Sequence, residues 1–168
     1  VAYDERNLYV LVRAFDPHPG SIAALLSRRD VKTASDQLKI IIDAYQDRRS
    51  GVEMAVNPAG VKRDHSIYGD VTEDATWDGV WDVGTQIDSL GWMAEFRVPF
   101  SQLRFTAKEV HEFGFGVWRD IARLNQRDAW PAYRPSRRTL VSQLGTITGI
   151  EDIGTPRRLE LLPYTVSK

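Results

Sequence analysis

Hydrophobic and polar side chains alternate with a period of two along several short stretches of the chain. The clearest stretch runs from residue 91 to residue 99, where the apolar positions are Trp92, Ala94, Phe96 and Val98. A period of two is typical of a β-strand with one buried face. Pro99 ends the predicted strand because it has no N–H to donate to a neighbouring strand, and a short helical turn is expected over residues 100–103.

The same pattern predicts further strands, separated by residues that favour turns. They are expected over residues 7–15, 38–45, 52–57, 61–69, 83–88, 112–122 and 144–150. Residues 70–82 and 123–143 lack this periodicity and are predicted to be mostly loop, and a short helix is expected over 21–27. Many short strands and weak helical patterning predict an all-β fold, a sandwich or a barrel of antiparallel sheets.

Composition narrows the function without identifying it. The chain has 168 residues, which is enough for one domain with a sizeable core. Lys and Arg number 22 against 23 Asp and Glu, and this balance does not favour a nucleic-acid partner, which usually requires a basic excess. The absence of cysteine excludes disulfides, zinc–thiolate sites and a cysteine nucleophile.

Five segments of the chain, taken in order, resemble family 9 carbohydrate-binding modules, in the form found in large bacterial envelope proteins. The segments read VAYDERNLYVLVRAFD, DQLKIIIDAYQDRRSGVEMAVNPAG, WDGVWDVGTQIDSLGWMAEFRVPFSQLRF, FGFGVWRDIARLNQRDAW and PRRLELLPY. The resemblance implies an antiparallel β-sandwich of jelly-roll or immunoglobulin-like type with two sheets. Modules of this family usually have further strands ahead of the segment that begins at Val1, so an N-terminally incomplete fold is expected.

The resemblance also implies a domain organisation and a cellular context. Residues 1–154 are expected to form the module, and residues 155–168 a linker that leads into a downstream β-barrel of the same protein. In the related envelope proteins that barrel is predicted to lie in the outer membrane. The expected location is therefore the bacterial cell envelope, either the periplasm or the outer membrane, and the expected partners are a glycan and the barrel.

Tryptophans are the first candidates for sugar binding, because an indole ring offers a large flat face to the C–H surface of a sugar. Trp77 and Trp130 fall in predicted loops and form the best candidate pair, although both could instead anchor loops on the end of the sandwich. Trp118 lies beside two glycines and suits either core packing or a ligand, with packing favoured. Trp81 and Trp92 are expected to be structural. The candidate polar partners are Arg63, Asp64, Asn125 and Arg127.

Acidic residues are densest in the predicted loop over residues 70–82. The candidate ligands for a structural Ca²⁺ are Asp70, Glu73, Asp74 and Asp78. Carboxylate oxygens crowded in a loop suit Ca²⁺, which takes six to eight of them, and some family 9 modules bind structural calcium. The spacing does not match an EF-hand, and an ordinary solvated acidic loop is the simpler interpretation.

No motif indicates catalysis. The three histidines are far apart in sequence, and HExxH, GxSxG and phosphate-binding glycine patterns are all missing. The sequence therefore predicts no catalytic residue. The predicted function is non-catalytic glycan binding by aromatic stacking, as the soluble part of an outer-membrane protein linked to carbohydrate use. The alternative is a structural domain that docks on the barrel or another envelope protein and binds no sugar. A glycoside hydrolase ranks below both, and if the chain is part of an enzyme, an accessory module of a glycoside hydrolase is expected.

Overall fold

Two antiparallel β-sheets pack face to face in the computed structural model, which describes residues 1–154. The predicted lead-in over residues 155–168 lies outside the described residues. Within the described residues the strands are β1 (Ala2–Tyr3), β2 (Asn7–Phe15), β3 (Gln37–Asp43), β4 (Gly51–Val56), β5 (Lys62–Tyr68), β6 (Thr72–Asp74), β7 (Asp82–Asp88), β8 (Gly91–Pro99), β9 (Val110–Ile121), β10 (Gln126–Trp130) and β11 (Gly145–Glu151). The predicted β-sandwich is confirmed.

The strand order explains how distant parts of the chain meet. The smaller sheet has the order β1-β2-β8-β7, and the larger sheet has the order β10-β9-β3-β4-β5-β6. Strand β11 pairs with the first half of β9, on the edge where β10 pairs with its second half. Strands β6 and β10 lie in stretches predicted to be loop, because three and five residues are too few to show a clear period of two.

Helical structure in residues 1–154 is confined to short 3₁₀ turns. The predicted turn after Pro99 is confirmed by one of them, over Phe100–Gln102. The helix expected over residues 21–27 is wrong: a 3₁₀ turn covers Pro19–Ser21, and residues 22–28 have no regular secondary structure. Seven residues form too few internal hydrogen bonds to offset helix nucleation, and here the backbone N–H of Leu25 donates to Ser35 Oγ instead.

The main core lies between the two sheets. Strand β3 contributes Leu38, Ile40 and Ile42, and β8 contributes its alternating residues from Trp92 to Val98. Trp81 is also buried, and its ring stacks on Phe96 at a centroid distance of 5.8 Å. The structural roles predicted for Trp81 and Trp92 are confirmed.

A second, smaller core covers part of the outer face of the larger sheet. Ile41, Ile67 and Trp118 project from that face and are covered by the segment 131–144. Asp70 holds this segment, because its Oδ1 accepts hydrogen bonds from the backbone N–H groups of Leu140 (3.0 Å) and Ser142 (2.9 Å). Burial alone would raise the pKa of the Asp70 carboxyl, but the hydrogen bonds from Ser142 and Leu140 outweigh it and lower that pKa.

Hydropathy gives no evidence of a membrane-spanning helix: across residues 1–154, no helix combines the length and the apolar character that crossing a bilayer requires.

Candidate functional site

An open cleft lies at one end of the sandwich, where the ends of β3 and β5 meet the loops that follow β6 and β8. Its volume is about 720 Å³, which falls within the range of small-molecule binding sites. Three aromatic side chains line it, Tyr45, Tyr68 and Trp77. Tyr45 and Tyr68 are 57% and 56% exposed, so both rings are accessible from solvent.

Trp77 is held in the cleft by the backbone of its own loop. A Cβ atom added at Gly79 would lie only 2.5 Å from Cη2 of Trp77, so the ring rests directly against the glycine. Trp77 also packs against the main core and is half-buried overall. Trp77 therefore has a fixed orientation that costs little further ordering when a ligand binds.

A buried carboxylate positions the loop that carries Trp77. Asp64 on β5 accepts hydrogen bonds from Nε1 of Trp81 (2.7 Å), the backbone N–H of Gly79 (3.2 Å) and Nη2 of Arg29 (2.5 Å). The same guanidinium donates to the Gly79 carbonyl (2.9 Å) and pairs with Asp78 (2.5 Å). We call Asp64 and these four partners, Arg29, Asp78, Gly79 and Trp81, the Asp64 cluster. It fixes residues 78–81 relative to the larger sheet.

This burial corrects the sequence-based interpretation of Asp64 as a ligand contact. The residue is 2% exposed, and both of its carboxylate oxygens are already engaged within the protein. Its role is to position the loop, because a ligand cannot reach it without disrupting the cluster.

Polar groups complete the lining of the cleft. Ser50, Ser66, Gln102 and Arg104 contribute hydroxyl, amide and guanidinium groups. Gln102 also joins two walls of the cleft, because its Oε1 accepts a hydrogen bond of 3.0 Å from the backbone N–H of Val80. Among residues 1–154, Arg104 forms no ion pair, so its guanidinium is available to a ligand oxygen.

The structure does not bring the other predicted tryptophans into this cleft. Trp130 ends β10, on the opposite edge of the larger sheet from β6 and the Trp77 loop. Strands β9, β3, β4 and β5 lie between these edges, and at about 4.8 Å per strand that exceeds the width of one sugar ring. Trp77 and Trp130 therefore do not clamp the same ring. Trp118 is buried against Tyr133, at a centroid distance of 4.8 Å, which agrees with the favoured packing role.

The remaining predicted polar partners lie on other surfaces. Arg63 projects from the outer face of the larger sheet, where its Nη2 lies 3.4 Å from Oε1 of Glu53. Arg127 shares that face, pairs with Asp120 and lies 4.9 Å over the Trp118 ring. Asn125 is exposed in a turn with φ of 48° after β9. These residues remain candidates for a second surface, but they do not line the cleft.

The four acids predicted to bind Ca²⁺ have separate partners. Asp70 binds the backbone of the segment 131–144, and Asp74 accepts hydrogen bonds from the Thr76 N–H (2.9 Å) and hydroxyl (2.7 Å). Asp78 pairs with Arg29, whereas Glu73 turns toward His65. Binding of one Ca²⁺ by all four carboxylates would require these bonds to be exchanged, so the calcium site stays a prediction.

Sequence reasoning missed Tyr45 and Tyr68. Tyr45 lies two residues after the end of β3, and Tyr68 is the last residue of β5. Strands β3 and β5 run in the same direction on either side of β4. Their C-terminal ends therefore lie at the same edge of the sheet. An aromatic residue at the end of two such strands is a signal that could have indicated the cleft, provided that the strand order was known.

Comparison with known proteins shows that this chain resembles solved structures in its fold. No family model and no curated protein matches the chain. Among solved structures, a family 9 carbohydrate-binding module from Caldicellulosiruptor kristjanssonii in complex with cellotriose has a TM-score of 0.62 and 20% identity, and the match covers 96% of this chain and 77% of that one. The same module in complex with glucose has a TM-score of 0.60 with the same identity and coverage.

A further solved structure extends this likeness. A provisionally assigned carbohydrate-binding protein from Bacteroides uniformis has a TM-score of 0.65 and 12% identity, covering 86% of this chain and 73% of that one. The fold of residues 1–154 is therefore similar to that of carbohydrate-binding modules.

Proposed function

We propose that this domain binds glycan without cutting it, in the cleft lined by Trp77, Tyr45 and Tyr68. The observation that carries the proposal is the convergence of three aromatic rings on one open cleft of about 720 Å³. Sugar rings present C–H faces that pack on aromatic rings, and hydroxyl groups at their edges that pair with amides and guanidinium groups. The cleft supplies both kinds of group, with Gln102 and Arg104 beside the rings.

The similar solved structures support this choice of ligand class. The module from Caldicellulosiruptor kristjanssonii is described in complex with cellotriose and with glucose, so neutral gluco-oligosaccharides are the first ligands to test. Few formal charges line the cleft, and binding is expected to be weak and insensitive to salt.

Replacing Trp77 with alanine is expected to weaken glycan binding at least tenfold, which corresponds to about 1.4 kcal/mol. The reason is the loss of a fixed apolar surface that stacks on the sugar. Isothermal titration calorimetry with glucose, cellotriose and a wider saccharide panel, with and without Ca²⁺, measures the effect. Calorimetry is preferable to fluorescence because the chain contains five tryptophans.

Trp130→Ala is the matched control for this experiment. It removes an indole that is 56% exposed from the opposite edge of the same sheet, and it is expected to leave binding unchanged. Equal losses in both variants would refute the cleft as the site. If a folded sample binds none of the saccharides, the docking function becomes the better explanation, and the exposed rings would then be protein-interface anchors.

We also propose, on the resemblance of the five sequence segments, that the domain belongs to a bacterial envelope protein used in carbohydrate uptake or breakdown. Its expected partner there is a downstream outer-membrane β-barrel of the same protein. Fractionation of the producing cells, with antibody detection of the full-length protein, tests this proposal. Recovery in the cytoplasmic fraction alone would overturn the proposed location and leave the glycan test unaffected.

A further inference from the structure

Three potential metal ligands meet on the outer face of the larger sheet, and none of them is among the residues that line the cleft. They are Glu53 on β4, His65 on β5 and Glu73 on β6, and one ligand atom from each lies within 4.8 Å of the other two. The register brings them together: Glu53 pairs with His65, and Glu73 pairs with Ile67, two residues further along β5 and on the same face as His65.

His65 has an unexplained polar atom. The residue is 3% exposed, and within the described part of the chain its Nε2 atom is buried without a hydrogen-bond partner. Nε2 lies 3.6 Å from Oε1 of Glu73 and 3.9 Å from Oε2 of Glu53, so it is aimed between two carboxylates but is too far from either for a hydrogen bond. A buried polar atom in that position can be satisfied by a bound ion or a water molecule.

The spacing of these atoms suits a tetrahedral metal ion. Zn²⁺ binds imidazole nitrogen and carboxylate oxygen at about 2.0–2.1 Å, which places neighbouring ligand atoms about 3.4 Å apart. The two separations from Nε2, 3.6 and 3.9 Å, need to close by only a few tenths of an ångström. The two carboxylate oxygens lie within 4.8 Å of each other, and movement of the exposed Glu73 side chain can bring them closer. The Glu73 side chain is 57% exposed, so an ion can reach the three ligands from solvent past this residue.

The basic side chains near Glu53 do not contact the carboxylate oxygen that faces His65. Lys39 lies 3.9 Å and Arg63 3.4 Å from Glu53, but both face Oε1, whereas Oε2 faces His65. Lys39 has a closer partner in Asp120, with 2.9 Å between Nζ and Oδ2. Oε1 of Glu53 therefore pairs with the basic side chains, and Oε2 faces His65.

We propose that Glu53, His65 and Glu73 form a Zn²⁺ site with three protein ligands and a fourth position open to solvent. Three ligands with one open position leave room for a water molecule or a ligand oxygen. The inference goes beyond glycan binding in the cleft and does not depend on it. It also gives Glu73, one of the four acids singled out in the sequence, a metal partner other than Ca²⁺.

Calorimetric titration of the chelator-treated protein with ZnCl₂ tests the site, together with thermal unfolding and the absorption spectrum of the Co²⁺-loaded protein. We expect one Zn²⁺ per chain, a higher unfolding midpoint with Zn²⁺, and the intense visible bands of tetrahedral Co²⁺. His65→Gln is expected to abolish binding, and Glu73→Gln to weaken it at least tenfold. Because Glu73 is exposed, the second variant stays folded even if the first does not.

Two controls separate coordination from other effects. Asp74→Asn removes the same charge from the neighbouring residue of β6, whose side chain points to the opposite face, and should leave affinity unchanged. His18→Gln removes an exposed histidine and should also have no effect. Absence of Zn²⁺ binding to the wild-type chain, or equal affinity in Glu73→Gln and wild type, would overturn the proposal.

Discussion

Replacing Gly91 with alanine is expected to destabilise the protein by more than about 3 kcal/mol, which is a large part of the stability of a typical domain. Gly91 begins β8 with φ of 134°, a conformation that L side chains rarely adopt. An added Cβ would also lie 2.1 Å from the carbonyl oxygen of Ala14 and 2.8 Å from the backbone nitrogen of Asp16. These atoms belong to backbone at the end of β2, so neither can move aside as a flexible side chain could.

Relief of this clash would break the pairing at the centre of the smaller sheet. Phe15 pairs with Gly91 in the register that also places Ala14 opposite Trp92, and Trp92 is fully buried in the main core. Urea unfolding followed by circular dichroism measures the change in the free energy of unfolding.

Gly69→Ala is the matched control for Gly91→Ala. Gly69 also has a positive φ, of 59°, but an added Cβ would meet no atom within 4 Å. The Gly69→Ala variant has the backbone strain of a positive φ but no steric clash, and we expect its free energy of unfolding to fall by about 1 kcal/mol. If the two variants lost the same stability, the clash with β2 would not be the cause.

Sequence pattern was sufficient where a strand is long and has one buried face. The stretch from Trp92 to Val98 shows a clear period of two, and the structure places β8 over the predicted residues. Pattern failed for β6 and β10, which have three and five residues and lie at sheet edges. Their pairing is decided by partners β5 and β9, and that information is not local.

The candidate site was predicted only in part, for the same physical reason. Trp77 was identified because indole rings in loops are suited to sugar binding. Its apparent partnership with Trp130 failed because sequence does not reveal that four strands separate β6 from β10. Asp64 looked like an accessible polar group, yet its partner Arg29 lies 35 residues away in the chain and encloses it. Only the folded chain shows that the carboxylate is already occupied.

Asp64→Ala is expected to cost about 3–5 kcal/mol, the range observed when one partner of a buried charged network is removed. The substitution leaves the indole N–H of Trp81 and the backbone N–H of Gly79 without an acceptor, and the guanidinium of Arg29 loses its buried partner. Urea unfolding at neutral pH measures the loss. Asp78→Asn is the matched control, because Asp78 pairs with the same Arg29 but its side chain is 75% exposed; a change within about 0.5 kcal/mol is expected there.

The Asp64 variant also tests whether the Asp64 cluster and glycan binding are coupled. Gly79 forms two hydrogen bonds with the cluster: its N–H donates to Asp64, and its carbonyl accepts from Arg29. The Trp77 ring rests on Gly79, so release of the loop should free the ring. At a temperature where Asp64→Ala is still folded, glycan affinity should therefore fall toward that of Trp77→Ala. A folded Asp64→Ala protein with unchanged affinity would show that the main core alone orients Trp77. A stability equal to that of Asp78→Asn would show that the buried carboxylate contributes no more than a surface ion pair.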